Sequence, residues 1–152
     1  MLAFGTGTAH NAKDAQHMIT SAINAGFTHL DGAQWYENED SLGAGIAASG
    51  KAREQLFITT KLARLPEGKT VRDTLVDSLA KLRVDYVDLF LVHTPMHFSY
   101  KEPGCLKALW KEMEAVKKEG LTRSIGVSNF RLEQLRETID GAEVIPSINQ
   151  VT

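Results

Sequence analysis

Short runs of apolar, β-branched and aromatic residues recur along this chain at near-regular intervals, and that rhythm limits what it can fold into. They are Phe27 to Leu30, Leu56 to Thr60, Val87 to Val92, Arg123 to Val127 and Ser147 to Val151. Both faces of each run are apolar, as in strands buried within a parallel sheet. The runs start at residues 27, 56, 87, 123 and 147, that is 29, 31, 36 and 24 residues apart. Parallel strands need a crossover of this length, usually helical and nearly always right-handed. Leu2 to Gly5 reads as the end of one earlier strand.

Between the runs, apolar residues take helical spacing. Met18, Ile19, Ala22 and Ile23 form one stripe, closed by Gly26; Leu42, Ile46 and Ala47 form a second. Val71, Leu75, Leu79 and Leu82 form a third, opened by Thr70 as N-cap. Leu106, Leu109, Trp110, Met113 and Val116 form a fourth, closed by Gly120, and Leu132, Leu135 and Ile139 a fifth. Repeated βα units of this kind build either a doubly wound open sheet or part of a barrel, and periodicity alone does not choose. A small flavodoxin-like domain is a weaker third reading, because no phosphate-binding loop is evident.

With 43% hydrophobic and 24% charged residues the 152-residue chain can bury a core. A formal charge of −2 offers no electrostatic basis for binding nucleic acid or an acidic membrane. The single cysteine, Cys105, excludes an intramolecular disulfide and suits a reducing compartment. The N-terminus lacks the regions of a secretory signal, and no apolar run approaches the ~20 residues of a membrane span. A cytoplasmic protein is expected.

Chemistry concentrates at the ends of the runs. They lead into Asp31, Lys61, His93, Ser128-Asn129 and Gln150 in turn. In barrels and open α/β sheets alike, the carboxyl ends of parallel strands share one face, and that face carries the site. Taken singly, each residue has a plainer role: Asp31 as a helix cap or turn former, Lys61 as a solvated loop residue, His93 in packing, Ser128-Asn129 as an N-cap. Their recurrence at successive strand ends favours convergence. Asp77, Asp85 and Asp88 do not read as metal ligands, since Asp85 and Asp88 sit at the opposite end of their strand, and no metal site is expected. Gly5-Thr6-Gly7-Thr8 lacks the third glycine of a dinucleotide fingerprint. Gly43 and Gly45 fall inside a helix, where close packing is their expected role.

Four strings make the pattern specific. They are Asp31-Gly32-Ala33-Gln34-Trp35-Tyr36-Glu37-Asn38-Glu39, Thr59-Thr60-Lys61-Leu62, Asp88-Leu89-Phe90-Leu91-Val92-His93 and Gly126-Val127-Ser128-Asn129-Phe130, followed by Asn149-Gln150. In order and spacing they resemble the signatures of the aldo-keto reductase family over essentially the whole chain. The resemblance implies a partial (β/α)8 TIM barrel of about five to six βα units out of eight. Residues 1–152 would form one incomplete barrel domain that stops before closure. It also implies reversible, NAD(P)H-dependent reduction of aldehydes and ketones, with NADPH expected over NADH. Tyr36 would donate a proton to the carbonyl oxygen, where negative charge develops as hydride arrives. Lys61 would stabilise the phenolate, Asp31 would hold the lysine charged and oriented, and His93 would aim the carbonyl. By the same resemblance Ser128, Asn129 and Gln150 hold the nicotinamide carboxamide, Asp31 borders it, and Gly5 and Thr6 lie beside the cofactor.

Two positions depart from the family pattern. Gly32 stands where a small hydroxyl residue is usual and should loosen the turn. Thr94 follows His93 where many relatives carry an aromatic, which opens the substrate pocket, and Trp35 could partly fill it. The family's last strands and C-terminal loop, which grip the cofactor phosphates, find no counterpart, so weak or no activity is expected of this chain. The alternative is a non-catalytic product that associates with itself or a longer partner through open sheet edges.

Overall fold

The computed structural model describes residues 2–7, 10–98 and 102–151. Six strands, β1 (Ala3–Gly5), β2 (His29–Asp31), β3 (Phe57–Leu62), β4 (Val87–Val92), β5 (Thr122–Ser128) and β6 (Asn149–Gln150), form one sheet in the order β1-β2-β3-β4-β5-β6. Every neighbouring pair is parallel. Among the described residues five α-helices alternate with them: α1 (Gln16–Asn24), α2 (Glu39–Ser49), α3 (Val71–Leu82), α4 (Cys105–Lys118) and α5 (Leu132–Ile139).

The strand order resolves the choice that periodicity leaves open. A doubly wound sheet reverses direction at a switch point and carries helices on both faces. Here the order runs strictly with the sequence, and each helix packs on the next, α1 on α2 through to α4 on α5. The sheet also curls. Gln150, at the end of β6, donates from Nε2 to Asp31 Oδ2, at the end of β2, at 3.2 Å. Four strand spacings in a flat sheet would separate those ends by ~19 Å. A side-chain hydrogen bond across that gap requires a curved sheet with both residues on its concave side. This is the wall of a partial (β/α)8 barrel.

Alternation along the strands sorts side chains between the faces. Leu30, Ile58, Leu62, Phe90, Val92, Ile125 and Val127 join one core with the helix residues Ile19, Ile23, Leu42, Leu75, Leu82, Trp110 and Met113. Asp31 and Lys61 belong to the other, concave face. Helices α1 and α2 approach closely because Gly45 has no side chain: a Cβ there would lie 2.7 Å from Ile19 Cβ. A Cβ on Gly43 would lie 2.2 Å from the Lys81 carbonyl oxygen of α3. Packing is thus the role of both glycines. Thr70 caps α3 as expected, accepting from Asp73 N–H at 3.2 Å while Asp73 Oδ2 accepts from Thr70 N–H at 2.9 Å.

Some expected details differ. Strand β2 is shifted to His29–Asp31, and β6 is only two residues long. Met18 is 46% exposed and Ala47 lies on the outside of α2, so the first two stripes are narrower than their spacing suggests. Leu132 and Ile139 are 62% and 40% exposed, and with Leu135, Ile145, Pro146 and Ile148 they edge an apolar groove of about 330 Å³ beside β6. Ser128 is the last residue of β5 and the N-cap of α5 is Arg131, so Ser128-Asn129 does not cap that helix.

At the amino ends of the strands Asp88 ties three of them together. Its Oδ2 accepts from Arg53 Nη2 at 2.6 Å and from the Ile58 N–H at 2.9 Å, and its Oδ1 from Arg123 at 3.4 Å. The two guanidinium groups lie 4.1 and 4.2 Å from the Tyr86 ring centroid. These contacts engage Asp88 as a structural clamp. Removing one partner of a buried ion pair costs about 3 kcal/mol or more. Asp88→Ala should therefore destabilise the protein by about 3 kcal/mol, read from the urea midpoint; a loss below about 1 kcal/mol would show that the clamp is dispensable.

Candidate active site

The polar residues at the strand ends do meet. Lys61, from β3, is 1% exposed and sits beside Asp31, from β2. Its ammonium donates to Asp31 Oδ1 and, at 3.0 Å, to the Gly32 carbonyl. A lysine so buried needs an anionic partner to remain charged. The second Asp31 oxygen accepts from Gln150, so one carboxylate connects β2, β3 and β6. Gly32 is held on both sides, with its N–H on Thr59 O at 2.9 Å and its carbonyl on Lys61. A Cβ there would lie 2.9 Å from Leu42 Cδ2. The expected loosening of this turn is therefore not found.

Tyr36 ends a short 3₁₀ turn (Gln34–Tyr36), and Glu37 then reverses the chain at φ 52°. The Lys61 ammonium lies 5.2 Å from the Tyr36 ring centroid, within the range where a cation acts on an aromatic ring. The His93 ring meets the phenol edge-on, with centroids 5.6 Å apart at 87°. Gly7 faces the phenol directly, where a Cβ would come within 2.7 Å of Tyr36 Cζ. Asp31, Tyr36, Lys61 and His93 therefore occupy one place.

His93 loses most of its basicity: burial, then the Lys61 charge and His97, push its pKa down to about 4. Its buried Nδ1 has no hydrogen-bond partner among the described residues.

Asn129 takes the left-handed conformation, with φ 60°. Its backbone N–H donates to Gln150 O at 3.0 Å, and its side-chain nitrogen donates to His93 O at 3.2 Å and Ser128 Oγ at 3.1 Å. The Ser128 hydroxyl donates to Gln150 O at 2.6 Å. The three residues thus form one amide-and-hydroxyl cluster beside the Asp31–Lys61 pair. Gly5 is exposed at the end of β1. Thr6 is fully buried: its N–H donates to Asp31 O at 2.9 Å, its hydroxyl to the same oxygen at 3.3 Å, and Asn38 Nδ2 donates to Thr6 O at 2.8 Å. Thr6 anchors the β1 end against the Asp31 turn.

Behind the site stand residues to which the signatures assign no role. Glu39 is buried, accepting from Thr60 Oγ1 at 2.6 Å and Ser78 Oγ at 3.1 Å, and burial raises its carboxyl pKa. Gln34 and His97 brace the chain after Lys61. Spacing could not reveal them, because each acts through a partner far away in sequence. Trp35 stacks on His97 with centroids 4.7 Å apart and edges a cleft of about 440 Å³ with Gln34, Arg64 and Thr74. Asp31, Tyr36, Lys61 and His93 do not line this cleft.

The His93 shift has a definite sign. Between pH 6.5 and about 4 the unfolded chain holds a proton on this histidine that the folded chain does not. Stability from this group is complete above 6.5 and falls as pH drops towards 4. In ¹H–¹³C spectra the His93 ring should titrate near 4 and be missing in His93→Gln. Titration at the ordinary histidine value would contradict this environment.

The aldo/keto reductase family model matches residues 1–152. Glyoxal reductase of Bacillus subtilis is 39% identical over 151 residues, 97% of this chain and 52% of the relative. The methylglyoxal reductase DkgA of Escherichia coli is 42% identical over 135 residues, 88% of this chain and 46% of the relative. Among solved structures, an aldo/keto reductase from Brucella melitensis superposes with TM-score 0.85 at 37% identity, covering 98% of this chain and 57% of that one. A Bombyx mori aldo-keto reductase in complex with NADP gives 0.81 at 36%, covering 99% and 53%. The chain spans about half the length of the relatives it matches. By sequence and by fold, it belongs to the aldo/keto reductase family.

Proposed function

We propose that these residues serve the reversible reduction of small aldehydes and ketones with a nicotinamide cofactor, NADPH in preference to NADH. The observation that carries this reading is the buried Lys61–Asp31 pair set against Tyr36 and His93 on the concave, carboxyl-end face. A carbonyl oxygen gains negative charge as hydride adds to its carbon, and a proton donor in place lowers that barrier. Tyr36 donates this proton. The Lys61 ammonium stabilises the phenolate left behind, and Asp31 holds the ammonium beside the phenol. His93 stays neutral at physiological pH, since its pKa is about 4. With Nδ1 buried and unpartnered, a proton on Nε2 leaves a neutral donor to aim the carbonyl.

The donor set at the ends of β5 and β6 suits a carboxamide. Gln150 spends its amide nitrogen on Asp31, which leaves its carbonyl oxygen to accept from an amide NH₂. Ser128 and Asn129 stand beside it with hydroxyl and amide groups. Ser128, Asn129 and Gln150 would hold the nicotinamide, and Gly5 and Thr6 would border it. When bound, the nicotinamide supplies or accepts the hydride. The presence of NADP in the Bombyx mori structure supports the cofactor, and the names of the bacterial relatives support glyoxal and methylglyoxal as first substrates.

Methylglyoxal reduction, followed by loss of reduced-cofactor absorbance, tests this. In a chain extended to the full length of its relatives, Tyr36→Phe should lower kcat by about a hundredfold or more while cofactor affinity stays nearly unchanged. A variant retaining a substantial part of wild-type turnover would exclude Tyr36 as the acid. Lys61→Met should be strongly impaired too, and its pH-rate profile should differ from that of the wild type. An unchanged profile would argue against coupling between the ammonium and the phenol.

A further inference from the structure

Nothing among the described residues hydrogen-bonds the Tyr36 hydroxyl, so the position of the phenol depends on the turn that carries it. Gln34 opens that turn, and its amide is fully engaged. Its Oε1 accepts from the Ala63 N–H at 3.0 Å, and its Nε2 donates to Ser78 Oγ at 3.0 Å and to Thr74 O at 3.2 Å. Ala63 follows directly after β3, two residues beyond Lys61. Its carbonyl accepts from His97 Nδ1 at 2.8 Å, and the His97 ring stacks on Trp35, the neighbour of Gln34. His97 closes the short turn Pro95–His97 that follows His93. Ala63 is thus held at its N–H by the turn bearing Tyr36 and at its C=O by the segment after His93.

A second route reaches the same strand from behind. Ser78 Oγ accepts from Gln34 and donates to Glu39 Oε2 at 3.1 Å, while Glu39 Oε1 accepts from Thr60 Oγ1 at 2.6 Å. Thr60 immediately precedes Lys61. Gln34 is therefore connected to the chain on both sides of the lysine, directly at Ala63 and through Ser78 and Glu39 at Thr60.

We propose that Gln34 and His97 are positioning residues: they clamp Ala63 between them and so set the spacing of the Tyr36 phenol, the Lys61 ammonium and the His93 ring. Their effect on turnover rests on the catalytic reading above, whereas the clamp itself can be read without it. Displacement of a reacting group by about 1 Å can cost about a hundredfold in rate, so a brace of this kind acts on kcat rather than on cofactor affinity.

Two variants test the clamp. Gln34→Met keeps the side-chain length and removes the amide; His97→Phe keeps the stack on Trp35 and removes the bond to Ala63. His97 is exposed, so the second variant is expected to fold even if the first does not. Fluorine NMR of fluorotyrosine-labelled protein reports on Tyr36, with Tyr86, in the clamp at the other strand ends, as the internal control. In both variants the Tyr36 and His93 resonances should move while Tyr86 stays in place. In protein that turns over methylglyoxal, Gln34→Met should lower kcat about tenfold with cofactor affinity unchanged. Unmoved Tyr36 and His93 signals in the folded variants would overturn the clamp, and so would a change shared equally by Tyr86. Moved signals with unchanged kcat would overturn the positioning role. Moved signals in protein that binds reduced cofactor yet reduces no carbonyl compound would uphold the clamp and sink the catalytic reading instead.

Discussion

A lysine ammonium buried to 1% exposure is the constraint around which this molecule is arranged. Taking such a charge out of water costs several kcal/mol unless an opposite charge and further hydrogen bonds receive it. Asp31 and the Gly32 carbonyl do so, and the remaining Asp31 oxygen is then satisfied by Gln150. That single chain of contacts requires the ends of β2, β3 and β6 to lie within side-chain reach, which a flat sheet cannot provide. Electrostatic satisfaction of Lys61 and curvature of the sheet are thus two descriptions of one arrangement.

The two ends of the strands divide the work. At the amino ends Asp88, Arg53, Arg123 and Tyr86 form a compact ionic and aromatic clamp that joins β3 to β4 and β5. At the carboxyl ends charge is likewise paired, but around a neutral histidine and a phenol whose hydroxyl has no hydrogen-bond partner among the described residues. Polar capacity is consumed at one end and kept in reserve at the other. This matches the division seen across barrels of this kind, where stability gathers on one face and chemistry on the other.

Much of this was legible from the residues. The apolar runs marked five strands because a strand buried on both faces has a recognisable composition, and the polar residue ending each run marked the shared face. Other features were not legible, for physical reasons. Met18, Leu132 and Ile139 fit a helical stripe but remain exposed, since spacing defines a face without saying what covers it. Gly32 looked like a loosened turn, yet its backbone is held by Thr59 and Lys61, and its missing Cβ makes room for Leu42.

The sequence by itself determined the alternation of strand and helix, the family signatures, and the identity of the groups that meet at the site. These depend on local composition and spacing, which a chain carries whatever its shape. Tertiary structure alone decided that Gln150 reaches Asp31 across the curled sheet, that the His93 pKa falls to about 4, and that Gln34 and His97 hold Ala63 from opposite sides. Each of these depends on groups far apart in sequence coming within a few ångströms. Burial and proximity in space are what shift a pKa or complete a hydrogen bond, and neither is a property of neighbours along the chain.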